Sequence, residues 1–218
     1  MISAKERKEK TIAKLKDMGI ATIEFLPEVE DSSQVKLKSL EEICSRAIAS
    51  LIAIQVACDI RNNNYEESKK YFEVMLDTFN VRNKLNNKEK KIFDGTYSEQ
   101  DVVDVVWTYE SYWSLCYALG LVDSIEDAGS ICDTDKAISF VSKSKDFEDF
   151  KNKCKLRDVE EILDMLDLYY RYHWATTDNR MNPDTPIGNL NDEIVVERRR
   201  GLEWLFIDKD WFDIPLDT

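Results

Sequence analysis

The stretch from Arg157 to Arg180, RDVEEILDMLDLYYRYHWATTDNR, constrains the chain most. It reads as one helix of about six turns. Val159, Ile162, Leu166 and Tyr169 recur at helical spacing, and His173, the only histidine, continues the row. A rod of this length needs other long helices against its apolar side. The sequence supplies them, and the small number of breakers, six glycines and four prolines, argues against a many-turned β fold.

Helix boundaries are marked throughout. Ser3 with Glu6 fits a capping box and Gly19 a left-handed stop, predicting a helix over 3–18. Its charged face is the one basic patch. It can dock on the body of the molecule, bind a partner or face solvent. Residues 20–38 lack a helical period, and Thr22–Leu26 alternates like a strand, so a minor two-stranded ribbon near residues 21–37 is allowed. Ser39 with Glu42 opens a strongly apolar helix ending at Asn62–Asn64. A third helix is predicted over Tyr65–Arg82 with Tyr71, Phe72, Met75, Leu76 and Phe79 inward. Asn87 is expected to cap a short helix ending at Gly95. Ser98 caps the next helix, Glu99–Leu119, with Val103, Val106, Trp107, Ser114, Tyr117 and Leu121 as its stripe. Short helices capped by Asp133 or Thr134 and by Asp146 follow. Asn191 caps the last, Asp192–Phe206, whose inward row is Val195, Arg198, Leu202 and Leu205. Trp211, Phe212, Ile214 and Leu216 form an aromatic and apolar tail expected to fold back. The expected architecture is all-α: an irregular helical bundle of about seven to nine helices in a single domain, 1–218.

The net charge of −13 argues against a basic nucleic-acid-binding face and suits attraction to a basic partner. The five cysteines form no CxxC pair, and one histidine makes a structural zinc site unexpected. No cofactor or metal is expected. Reduced thiols and a charged N-terminal run favour a cytoplasmic protein without a signal peptide. The longest apolar run, Ala47–Cys58, carries Ser50 and Gln55 and is short for a membrane span.

Three charged or titratable residues fall on apolar stripes of three different helices: Glu110, His173 and Arg198. Buried alone, each charge would cost several kcal/mol, so they should meet one another or a water-filled pocket. Asp167, Arg171, Asp178 and Glu197 lie close to them in sequence, with Asp167 and Arg171 an i, i+4 pair. As a catalytic site, Glu110 would be general base, His173 a proton shuttle, and Arg198 or Arg171 an anion clamp. As architecture, the same residues would be a satisfied ion-pair network. Trp113 and Tyr109, off the main stripe of their helix, are candidate interface anchors.

Several blocks carry a family resemblance. WTYESYWSLCYALGLV (107–122), EILDMLDLYYRYHWATTD (161–178), VVERRRGLEWLFIDKDWFDIPLDT (195–218) and KSLEEICSRAIASL (38–51) resemble a bacterial family catalogued as domain of unknown function 4272. Cys116-Tyr117 and Thr176-Thr177 depart from the Leu-Trp and Val-Arg-like pairs usual in that pattern. The resemblance implies no activity. The leading functional expectation is a non-enzymatic, macromolecule-binding protein, regulatory or partner-neutralising, for a basic protein partner. The alternative is a hydrolase or small anionic-ligand binder using Glu110, His173 and Arg198, which leaves open whether the chain is an enzyme.

Overall fold

A computed structural model describes residues 2–218. Among these residues there are nine α-helices and no strand. They are α1 (Ala4–Asp17), α2 (Leu40–Arg61), α3 (Tyr65–Thr78), α4 (Asn87–Asp94), α5 (Glu99–Ala118), α6 (Thr134–Ser142), α7 (Phe147–Lys151), α8 (Val159–Met181) and α9 (Asp192–Trp204). The long helices pack as neighbours in the order α3, α2, α5, α9, α8, α1. Helices α4 and α6 cover α2 and α5, and α7 covers α2. One contiguous hydrophobic core runs through the row.

Helix α2 is apolar nearly all round. By length and composition it is the one described helix that could cross a membrane, yet 78% of that window is buried inside the fold. Its apolar character is therefore used at the centre of the bundle. Arg46 breaks the run: it pairs with Glu89 of α4, donates to the Lys84 carbonyl at 2.6 Å, and lies over the Trp211 ring. Through its contact with the Trp211 ring, Arg46 ties the returning tail to the centre.

Helix α1 docks on the molecule itself. Arg7, 1% exposed, reaches Glu160 at 2.6 Å and Asp164 at 3.0 Å, both on α8. A guanidinium that buried needs two carboxylates and a carbonyl, and the Glu30 carbonyl supplies the third contact at 3.3 Å.

No ribbon forms over residues 21–37. Neighbouring groups take the backbone partners a second strand would have used. The Ala21 amide donates to the Pro186 carbonyl at 2.7 Å, and the Lys38 amide to the Leu205 carbonyl at 2.9 Å. Lys8 Nζ reaches the Leu26 carbonyl at 2.7 Å, and Arg171 the Pro27 carbonyl at 3.3 Å. With Leu26 and Val29 buried beneath it, the segment is a cover strapped to α1 and α8.

Helix α3 ends earlier than its periodicity suggests, because Asn80 takes a left-handed φ of 54° and a short 3₁₀ turn, Arg82–Lys84, follows. Tyr71 is 63% exposed and does not point inward. Packed only at the end of the row, α3 buries a narrow strip through Ser68 and Leu76. The cap of α4 is Asn86, which forms a reciprocal capping box with Glu89. The stripe of α5 is also rotated: Val102, Val105 and Tyr112 are buried, whereas Val103, Val106 and Trp107 are only partly so. Two long neighbours, α2 and α9, flank α5, so its N-terminal half has a buried side that a one-face pattern does not identify.

Close approach of α5 and α9 depends on Gly201. A Cβ there would lie 2.4 Å from the Ser111 carbonyl oxygen and 2.9 Å from Ser114 Cβ. Gly201→Ala is expected to destabilise the fold by about 1–3 kcal/mol through overpacking, although alanine is the better helix former. Equilibrium urea unfolding checks this; a variant as stable as the parent would mean the two helices can part without cost.

Candidate functional site

Small side chains bring α9 onto α5. Ser111 Oγ lies 2.7 Å from the Glu197 carbonyl oxygen and 2.8 Å from Glu197 Oε2, its one proton shared between these two acceptors, and Ser114 Oγ donates to the Arg198 carbonyl at 2.9 Å. With the backbones this close, Arg198 passes α5 and meets Glu110, Nε to Oε2 at 2.8 Å. Both residues are buried, at 2% exposure each. Glu110 Oε1 accepts the Cys132 amide at 2.7 Å. Arg198 Nη1 donates to the Ile125 carbonyl at 3.1 Å, to the Tyr169 hydroxyl at 3.2 Å, and to the Asp127 carbonyl; Nη2 donates to the Ser130 carbonyl at 3.1 Å. Burial opposes the Arg198 charge, while Tyr169 and Glu110 more than offset it and hold its pKa above the ordinary value. All three guanidinium nitrogens are engaged, chiefly by the irregular segment between α5 and α6. Arg198 is the clasp of that segment.

His173 is not part of this group. Its Nδ1 lies 2.7 Å from Nη1 of Arg199, the neighbouring residue on α9. Arginine can only donate, so Nδ1 accepts and the ring proton of the neutral imidazole sits on Nε2. Burial, followed by the nearby Arg199, Arg180 and Arg200 charges, pushes His173 down to about 4. Arg199 also donates to Glu203 through Nε and Nη2, both at 3.2 Å, and to the Asp217 carbonyl at 3.1 Å. Its guanidinium lies 4.5 Å from the centre of the Tyr170 ring. Burial raises the Glu203 carboxyl despite Arg199 beside it. This second cluster holds the C-terminal tail. Arg199 was not among the residues the pattern singled out, but it lies four positions from both Val195 and Glu203, and that spacing was its available signal.

The remaining candidates divide among separate places. Asp167 and Arg171 form a buried two-point pair on α8, at 2.6 and 3.1 Å, and Arg171 Nη1 has no protein partner. Asp178 accepts Thr185 Oγ1 at 2.5 Å and Asn182 Nδ2 at 3.2 Å, closing the proline-containing loop before α9. Trp113 is 8% exposed and stacks on Phe140 with centroids 6.3 Å apart, so it is a core residue. Tyr109 is partly buried and accepts from Gln55 Nε2; burial raises its hydroxyl pKa. Neither aromatic stands free on the surface as an interface anchor.

Glu197 leads instead to an open groove of about 670 Å³ beside α5 and α9. Val103, Trp107 and Val196 supply its apolar lining, with Phe212 of the tail. Three cations lie along it, each beside a carboxylate of the same groove: Lys88 with Asp104, Arg180 with Asp192 at 3.9 Å, and Arg200 with Glu197 at 3.3 Å. Glu193 and Asp213 line it too and pair with no cation among the described residues. Burial raises the Glu197 carboxyl, against the pull of Arg200 and Ser111. Among the described residues no group of three or more His, Cys, Asp or Glu side chains is placed to hold a metal ion.

Residues 7–214 match the family described as Domain of unknown function (DUF4272). No curated protein and no solved structure matches the chain.

Proposed function

The chain belongs to the DUF4272 family, whose description carries no activity, and we propose, from the chemistry of its surface, that it is a non-enzymatic protein that binds a basic segment of a partner protein. The groove beside α5 and α9 carries this reading. Its cations are already neutralised by their neighbours, whereas Glu193 and Asp213 are left over, so the groove is negative as well as apolar. A lysine or arginine side chain suits both properties. Its methylene stem can lie against Trp107 and Val196 while its charged head reaches a carboxylate. The overall charge of −13 adds a long-range field of the same sign, which speeds the encounter with a cationic partner.

The hydrolase reading draws less support. Arg198 has no free nitrogen for an anion, and His173 faces Arg199 rather than Glu110. The groove is the better place for a ligand, and its unpaired groups are acids.

Calorimetric titration with a short amidated peptide alternating lysine and leucine tests this. Trp107→Ala is expected to weaken binding at least about tenfold, roughly 1.4 kcal/mol. Neutralising the free acids together, with Glu193→Gln and Asp213→Asn, should weaken it similarly and flatten its salt dependence. A peptide that binds the Trp107 variant as tightly as the parent would reject the groove. Binding of citrate or inorganic phosphate with no peptide binding would return the anionic-ligand reading.

A further inference from the structure

We propose that the outer face of α3 joins two copies of this chain, antiparallel about a two-fold axis. Helix α3 ends the row of long helices and packs on α2 and on the 3₁₀ turn that follows it, burying Ser68 and Leu76. Its opposite side carries Glu67, Lys70, Tyr71 and Val74 at i, i+3, i+4 and i+7, all exposed. Tyr71 and Val74, 63% and 64% exposed, lie about one turn apart on that side, and the half-buried Phe72 ring meets Tyr71 edge-on with centroids 5.1 Å apart. The other exposed large apolar side chains, Met18, Phe25, Ile131 and Met181, sit at helix ends or in irregular segments. An apolar pair at the centre of a helix face, rimmed by charge, has the form of a helix-to-helix contact.

Charge selects the occupant. The chain carries −13 overall, so two copies repel through their acidic surfaces. Residues 65–84, which form α3 and the turn after it, carry four acids and four bases and are neutral. A second copy can approach there without that repulsion, whereas a cationic partner would be drawn to the acidic surfaces instead. Among the described residues Lys70 and Glu73 have no ion-pair partner, and Asp77 is held by Arg82 at 2.8 Å. This pattern is self-complementary when the two helices run antiparallel. With Tyr71 of each copy against Val74 of the other, Lys70 falls between Glu73 and Asp77 of the second helix, about 3 Å along the axis from each. The two-fold axis repeats the contact, so two cation–acid groups flank two apolar contacts. A parallel pairing would set Glu67 on Glu67 and Lys70 on Lys70, like charge on like. One helix face is a small interface, so the dimer is weak and forms at high concentration. The face shares no residue with the groove beside α5 and α9.

Sedimentation equilibrium of the full chain, from micromolar to millimolar concentration, tests this. The average mass of the parent is expected to rise from one chain toward two. Val74→Asp should weaken association at least about tenfold by placing a charge in the apolar centre. Lys70→Glu and Glu73→Lys should each weaken it as much, since either change sets like charges together at both symmetric contacts. Mixing these two charge variants in equal amounts should restore most of the association, because each then meets the opposite charge on the other. Glu73→Lys also separates the contact from net charge: it makes the chain less acidic, so tighter association than in the parent would overturn the proposal. A mass of one chain at every concentration, or no recovery on mixing, would overturn it too. Recovery would itself show that both variants are folded.

Discussion

Replacing Arg198 by alanine is expected to cost about 3–5 kcal/mol of folding free energy. The loss has two parts. Glu110 is left inside the core with only the Cys132 amide as a partner, and the Asp127 and Ser130 carbonyls lose the donor that orders their segment, while the Ile125 carbonyl keeps only the Tyr169 hydroxyl. Leaving a buried acceptor unpaired costs about 1–3 kcal/mol, so the orphaned groups and the unpaired carboxylate together account for that range. In a chain of this size the midpoint should fall on the order of 10 °C. Arg198→Lys should recover little, since one ammonium cannot reach the positions that three guanidinium nitrogens occupy. Glu110→Gln combined with Arg198→Met should be less damaging than the sum of the single changes, because no unpaired charge remains. Scanning calorimetry of the parent, the two Arg198 variants, the double variant and its two single changes checks this. If Arg198→Ala melts with the parent, the residue is retained at no benefit to stability, and the interior pair would have to be reconsidered as a ligand site.

Acidification should expose the second cluster. His173 has a folded-state pKa of about 4 against an ordinary 6.5. Above pH 6.5 the ring is neutral in both states, and its contribution to stability is complete. Between pH 6.5 and 4 the unfolded chain takes up the proton first, so stability falls as pH falls. The loss approaches about 3 kcal/mol, from roughly 1.4 kcal/mol per pKa unit. The cause is burial and then the facing cations: a protonated ring would set a second positive charge against Arg199, with Arg180 and Arg200 nearby and Asp192 as the opposing acid. Glu203, raised by burial in the same cluster, acts in the opposite sense. The informative quantity is therefore the difference from His173→Asn, whose amide oxygen can accept from Arg199 in place of Nδ1. Denaturant melts across this interval should show the parent losing about 3 kcal/mol more than the variant; parallel curves would remove His173 from the acid response. As the only histidine, it also gives one imidazole signal in a proton spectrum, and Arg199→Gln should move its titration upward.

Much of the fold was legible because helix ends are local events. A serine three residues before Glu6 or Glu42 can satisfy the first amides of its own helix whatever lies around it, and both capping boxes form. The inward row of α9, Val195, Arg198, Leu202 and Leu205, was readable for the same reason: spacing along one helix defines a face. From the cost of burying a lone charge it also followed that Glu110, His173 and Arg198 should meet one another or a water-filled pocket, and of the three only Glu110 and Arg198 do meet. The choice between adjacent arginines did not follow from it. Arg198 and Arg199 are both buried on α9, but one meets Glu110 and the other His173, because Gly201 and two serines set how closely α9 approaches α5. The ribbon failed to form, and Trp107 came to line a groove while Trp113 was buried, for a related reason. Residues 21–37 found their partners in distant side chains and loops, and α5 is flanked by two long helices. Caps and periodicity act within a few residues, so the order of residues determines them; the partner of a buried charge and the side of a helix left open depend on which surfaces pack together, and those contacts exist only once the chain has folded.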